Sequence, residues 1–295
     1  MTTLNTPRYA LDTCSMLTEF NASVWTARKL DKGATDEIVT AKNAAAKDAA
    51  RVNKHLLAGR TELDVIQQMV GRARAYVYDN TLPWSDSGLR LLPTLNFEKF
   101  AAKMNAFEEE FESMVQAFVD IYPTLITAQA MALGDMFQRN DYPTQNEIMT
   151  KFAFRVNYMP VPTAGDFRVD VGNAAAQELK DKLNRLADER VEAAMADIRE
   201  RLGTHLKRMS DRLTTDYVGG EAKQRRFHDS LVDGALELCD LTKNLNVVND
   251  LTLEAARKEL EQLLCGVSPQ ELRKNEAVRQ GTKKAVDELL SKFSF

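Results

Sequence analysis

"NFEKFAAKMNAFEEEFESMVQAFVDIYP", residues 96–123, decides the fold class. Phe97, Phe100, Met104, Phe107, Phe111, Met114, Phe118 and Ile121 recur at alternating intervals of three and four. On a helix those positions form one stripe, and a seven-residue repeat predicts packing along the whole length, in a bundle or coiled coil. The run "FEEEFE" puts its acids on the opposite face. An aromatic stripe at this spacing reads as core rather than as a cofactor contact. Asn96 is suited to cap the start. Pro123 lacks a backbone N–H, so it is expected to kink or break the helix, with a further helix over about 124–138.

Toward the N-terminus, residues 1–34 are mixed, and Trp25 reads as a packing anchor. Residues 35–58 are alanine-rich and predict a helix capped by Thr35 or Asp36 and closed by Gly59. Thr61 starts another helix, through about Asn80, so two antiparallel helices meet at Gly59–Arg60. "LPWSDSGLRLLPT", 82–94, holds two prolines and a glycine and reads as a loop. In it Trp84 either packs over a helix end or stacks on a base or a partner.

Toward the C-terminus, "NDYPTQNEIM", 140–149, predicts a turn and a short helix. Phe152, Phe154, Val156 and Tyr158 then alternate with polar residues, as do Phe167, Val169 and Val171. A Pro/Gly connector joins the two runs, which predicts a β-hairpin. A lone hairpin is marginal in water, so it must find support elsewhere. A helix from Asn173 to about Tyr217 would span roughly 65 Å, a length typical of stalks and subunit interfaces. "VGG", 218–220, ends it. Three shorter helices follow: about 223–245, Asp250 to Gly266, and one opened by Ser268, Pro269 and Glu271 as a capping box. The expected fold is mainly α, with long-helix bundle or coiled-coil elements and a small β-hairpin insertion. Its regions are 1–150, helical; 151–172, hairpin; and 173–295, long helix plus C-terminal helices. The long helix and the unsupported hairpin together predict a homo-oligomer.

The 295 residues are 44% apolar and 28% charged, enough for a packed core. Three cysteines, Cys14, Cys239 and Cys265, argue against a disulfide framework and for a reducing, cytosolic compartment. Cys239 and Cys265 sit among leucines and are expected in the core. No signal-peptide pattern opens the chain, and no apolar run is long enough for a membrane span. His55, His205 and His228 have no second ligand at zinc-like spacing, and no phosphate-loop, dinucleotide or nucleophile-elbow pattern occurs. Asp166 and Asp170 read either as carboxylates facing one another near the hairpin or, equally well, as exposed strand acids. No catalytic residue, metal or cofactor is expected.

Charge distribution is more informative. Between Arg199 and His228 eight basic residues face four acids, so this segment is +4 in a chain of net charge −4. Such polarity suits a phosphate-binding face. Its candidate contacts are Arg201, Lys207, Arg208, Arg212, Arg225 and Arg226. Arg155 and Arg168 would share the polar face of the hairpin, and Trp84 or Tyr158 would stack on bases, as in sequence-tolerant binding of single strands. The competing reading is a solvated helix face with ion pairs such as Arg208–Asp211.

"LPWSDSGLRLLP", "DIYPTL", "NDYPTQ" and "FRVNYMPVPTAGDFRVDV" together resemble a family of tailed-bacteriophage helical proteins, over roughly residues 20–175. The resemblance implies one of two functions. One is that of the single-stranded-DNA-binding cofactors with which podophages serve their own RNA polymerase and replication. The other is that of helical partners of MoxR-type AAA+ ATPases and von Willebrand factor A proteins. Either implies a non-enzymatic protein of the host cytoplasm, and neither carries binding residues over to this chain.

Overall fold

A computed structural model describes residues 9–46, 48–162, 173–218 and 221–293, and helices account for 67% of these described residues. In chain order the elements are α1 (Tyr9–Cys14), β1 (Ser15–Ser23), β2 (Arg28–Leu30), α2 (Lys32–Ala41), β3 (Asn53–His55), α3 (Glu62–Asn80), β4 (Leu82–Pro83), β5 (Arg90–Pro93), α4 (Phe97–Leu133), α5 (Gln145–Met149), β6 (Ala153–Pro160), α6 (Asn173–Leu213), β7 (Thr215–Val218), β8 (Glu221–Gln224), α7 (Ser230–Leu245), α8 (Leu251–Leu264), α9 (Pro269–Lys274) and α10 (Glu276–Phe293). The strands form a four-stranded sheet in the order β4-β5-β1-β6 and two two-stranded ribbons, β2-β3 and β7-β8. The fold is therefore mainly α with a small β component. The chain packs as two compact units interleaved in sequence. The first is Met1–Glu19, Tyr78–Phe100 and Asn157–Phe295; the second is Phe20–Val77 and Ala101–Val156.

In the second unit the aromatic stripe of α4 forms the core. Phe107, Phe111 and Phe118 are buried. Phe111 and Phe118 both meet Phe152, and Trp25 sits edge-on to Tyr122 at 5.7 Å. The helix does not break at Pro123 but runs through it to Leu133. The reason is tertiary. Pro123 cannot donate to the Val119 carbonyl one turn back, and Gln145 Nε2 donates there instead, at 3.1 Å. Gln145→Ala should therefore cost about 1 kcal/mol, and the cost should shrink when Pro123→Ala restores the backbone donor. A double-mutant cycle in urea measures that coupling.

The alanine-rich stretch departs from expectation. Its helix begins at the Asp31 cap, which accepts from Ala34 N, and ends at Ala41. Residues 53–55 are strand, and Gly59 (φ +74°) belongs to a turn. Lys54 explains the change. It is only 5% exposed, lies 2.6 Å from Asp141 and 3.6 Å from Asp31, and donates to the Met136 carbonyl. A strand directs that ammonium inward between two carboxylates, outweighing local alanine propensity.

In the first unit, residues 82–94 form the β4–β5 hairpin rather than a loop. Trp84 and Ser85 N–H groups both donate to the Leu89 carbonyl, and Gly88 takes φ +97° in the turn. β5 pairs antiparallel with β1, Leu17 opposite Leu91. The long helix α6 buries Ala194, Met195, Ile198, Leu202, Leu206, Met209 and Leu213 in a core shared with α7, α8 and α10. It stops at Leu213, four residues earlier than its spacing suggests, where β7 begins. Ser268 and Glu271 form the expected capping box of α9. A new helix, α10, then starts because the Asn275 side chain accepts from Ala277 and Val278 N–H groups. Asn96 does not cap α4 through its side chain; its Oδ1 accepts from Asn244 on α7. Cys239 is buried, which pushes its thiol up to about 11, but Cys265 is exposed, contrary to expectation.

Only the first strand of the expected hairpin lies within the described residues, as β6. Among the described strands it lies at the end of the sheet, beside β1. The Ser23 hydroxyl donates to the Lys151 carbonyl, the Phe20 and Phe154 rings lie 4.7 Å apart, and Asn157 reaches Glu19, so the two strands run antiparallel. The support that an isolated hairpin lacks thus comes from the N-terminal segment. The second strand, with Asp166, Arg168 and Asp170, falls outside the described residues.

Candidate nucleic-acid interface

The basic segment Arg199–His228 covers the end of α6, the β7-β8 ribbon and the approach to α7. Its cations have three fates. The first is structural. Arg201 pairs with Asp197 at 2.7 Å and donates to the carbonyls of Asp79 and Thr81, at the C-terminal end of α3. Arg90 donates to the same Thr81 carbonyl and lies over the Tyr78 ring at 4.4 Å. Burial, then the nearby Arg201 charge, lowers the Arg90 pKa. The two guanidinium groups cap the negative end of α3. Arg201 is therefore withdrawn from the expected phosphate contacts.

The second fate is neutralisation. Arg225 holds Asp216 through two hydrogen bonds, of 2.9 and 3.0 Å, and also pairs with Asp211. The Asp216 hydrogen bonds, then the Asp211 charge, raise its pKa. Arg199 is tied in the same way to Asp250. Arg225 too leaves the list of direct phosphate contacts, but its pairing matters. Asp211 is the acid one turn from Lys207 and Arg208, and Arg225, not Arg208, answers it.

The third fate is exposure. Lys207, Arg208, Arg212 and Arg226 are exposed and make no ion pair or hydrogen bond through their side chains among the described residues. Arg208 and Arg212 are one turn apart, at i and i+4, and so share an edge of the solvent face of α6. Arg155 on β6 is also exposed and unpaired among the described residues, but it belongs to the second unit. Arg168 is outside the described residues.

The stacking candidates divide as well. Trp84 is 4% exposed, packs in the core of the first unit and lies under Arg190 at 5.5 Å. A ring buried in this way offers no face to a base, which corrects the stacking assignment. Tyr158 is 38% exposed and packs edge-to-face on Phe97 at 5.2 Å, leaving part of its ring to solvent.

Below the exposed cations, His205 Nε2 lies 3.1 Å from the Leu231 carbonyl, beside Gly234 on α7. Burial lowers its pKa; the Leu231 carbonyl opposes that shift and the Arg208 charge adds to it. Because the folded value is depressed, the unfolded chain takes up the proton more readily as pH falls through about 6.5. Stability should then decline from neutral pH toward pH 5, and His205→Gln should flatten that decline in urea midpoints measured across the range.

Two shallow clefts, of about 260 and 210 Å³, are lined mainly by surface side chains, and among the described residues no cluster of His, Cys, Asp or Glu is arranged to hold a metal. No described helix is long and apolar enough to cross a membrane. Compared with known proteins, the chain matches no family model, no curated protein and no solved structure.

Proposed function

We propose that the protein is a non-enzymatic binder of single-stranded DNA with little sequence preference, serving phage transcription or replication, and that its primary contact is the solvent face at the C-terminal end of α6. One observation carries the reading. Arg225 neutralises Asp211, so Lys207, Arg208 and Arg212, with Arg226 beyond β8, meet solvent as unopposed positive charge. A row of flexible cations without a shaped pocket suits the repeating phosphates of a polynucleotide and reads no base. A half-exposed ring such as Tyr158 is the type of stacking partner that a single strand uses. The expected phage RNA polymerase partner, homo-oligomer and host-cytoplasm setting belong to the same proposal.

The test is a mobility shift of oligo(dT) and duplex DNA at low and moderate salt. Binding to the single strand that falls steeply with salt supports the reading. No retardation of either DNA at low salt would sink it.

A second reading, the helical partner of a MoxR-type ATPase, is favoured by the end of α4. There Met131 is 92% exposed, with Met136 exposed nearby. Flexible methionines on a surface suit protein contacts. Co-purification with such an ATPase that is lost in Met131→Asp would separate this reading from the first.

A further inference from the structure

The two-stranded ribbon of the second unit sorts its charges by face. β2 and β3 pair antiparallel, Arg28 opposite His55, Lys29 opposite Lys54, and Leu30 opposite Asn53. The ladder continues one step further, where Asp31 N–H donates to the Val52 carbonyl. Side chains alternate across a ribbon, so Lys29, Asp31 and Lys54 share one face, and Arg28, Leu30, Asn53 and His55 the other. The first face is neutral. Lys54 and Lys29 both reach Asp141, and Lys54 also reaches Asp31.

The opposite face is open and basic. Arg28, His55 and, at its end, Lys32 and Arg51 are exposed and make no ion pair or hydrogen bond through their side chains among the described residues. Lys32 and Arg51 line the 210 Å³ cleft with Leu30, and Asp36 and Asp48 line it as well. Those two carboxylates offset charge at the cleft end, which leaves the Arg28–His55 end as the stronger anion site. The inner cluster takes up Asp31 and Asp141, so Arg28 and His55 on the outer face are left without an acid partner among the described residues.

We infer that this outer face of the β2-β3 ribbon is a second contact surface for single-stranded nucleic acid, with Arg28 as its main phosphate contact, His55 next to it, and Lys32 and Arg51 as secondary contacts at the cleft end. The inference rests on the polynucleotide-binding reading above but not on the α6 face. It assigns function to residues that alternate as Arg28, Leu30, Lys32 and as Arg51, Asn53, His55.

Two triple variants test it: Arg28→Ser, Lys32→Ser, Arg51→Ser on the ribbon, and Lys207→Ala, Arg208→Ala, Arg212→Ala on α6. All six side chains are exposed, so urea midpoints should match wild type and certify folding. The probes are oligo(dT), a duplex of equal length and anionic phospholipid vesicles, each titrated across salt. The ribbon variant should bind oligo(dT) at least about tenfold more weakly at low salt, with a shallower salt dependence. An unchanged affinity and salt slope in that variant, with wild type binding, overturns the ribbon surface alone. Weakening in the ribbon variant but not in the α6 variant keeps the ribbon and removes the α6 placement. Wild type that binds no oligo(dT), or only vesicles or duplex, overturns both.

Discussion

Replacing Lys207, Arg208 and Arg212 together with alanine should weaken binding to oligo(dT) by roughly 10²–10³-fold at about 50 mM salt, the largest functional effect expected of any surface change here. Each cation that neutralises a phosphate on a single strand releases about 0.7 of a counterion, so three lost contacts should reduce the logarithmic salt slope by about 2. The slope is the decisive readout, because a purely structural role would not move it. These side chains are exposed and unpaired among the described residues, so folding should be unaffected. Arg201→Ala is the matched contrast. It removes hydrogen bonds to the Asp79 and Thr81 carbonyls and an ion pair to Asp197. It should cost about 1–3 kcal/mol in urea and leave the salt slope as it was. If the triple variant and wild type share one slope, the α6 face does not hold DNA.

Arg279→Met should cost about 3–5 kcal/mol, the largest stability effect expected of a single exchange. Arg279 is 1% exposed and has no carboxylate partner within ion-pair distance among the described residues. Its guanidinium donates to four carbonyls: Leu213 at 2.9 Å, Arg212 at 2.6 Å, Arg225 at 2.8 Å and Leu272 at 3.4 Å. Two of these end α6, where a positive charge is favoured by the helix dipole. Burial lowers the Arg279 pKa, opposed by Glu276, so the site keeps its charge through hydrogen bonding and that neighbour. Methionine fills comparable volume but leaves buried acceptors unpaired. Arg279→Lys should recover only part of the loss, because one ammonium cannot span the fork that a guanidinium bridges. A urea midpoint unchanged in Arg279→Met would show that the four carbonyls find other donors.

The long helices, the capping box at Ser268 and the core role of the phenylalanine stripe were legible because each is written locally: a period held over many turns, or an acceptor three residues from its donor. The N-terminal strand β1, the β4–β5 hairpin and the three-residue strands β2 and β3 were not. The strands β2 to β5 are two to four residues long and carry no measurable period, and these strands and β1 exist because residues far along the chain complete their ladders and charges, as Asp141 does for Lys54. Of the candidate site, the basic segment was legible as a total but not as a surface. The free Arg51 was hidden inside a stretch whose alanines argue for helix, and Arg28 lay in the mixed residues 1–34.

Residue order alone determined that this protein is mainly helical, where its two longest helices begin and that positive charge gathers late in the chain, since helical period and net charge are properties of neighbours in sequence. Only the tertiary structure decided that α4 passes through Pro123, that Arg201 and Arg279 are spent on carbonyls, and which cations remain for a ligand. A hydrogen bond or an ion pair goes to whichever group the fold brings within about 3–4 Å, and no spacing along the chain reports that distance.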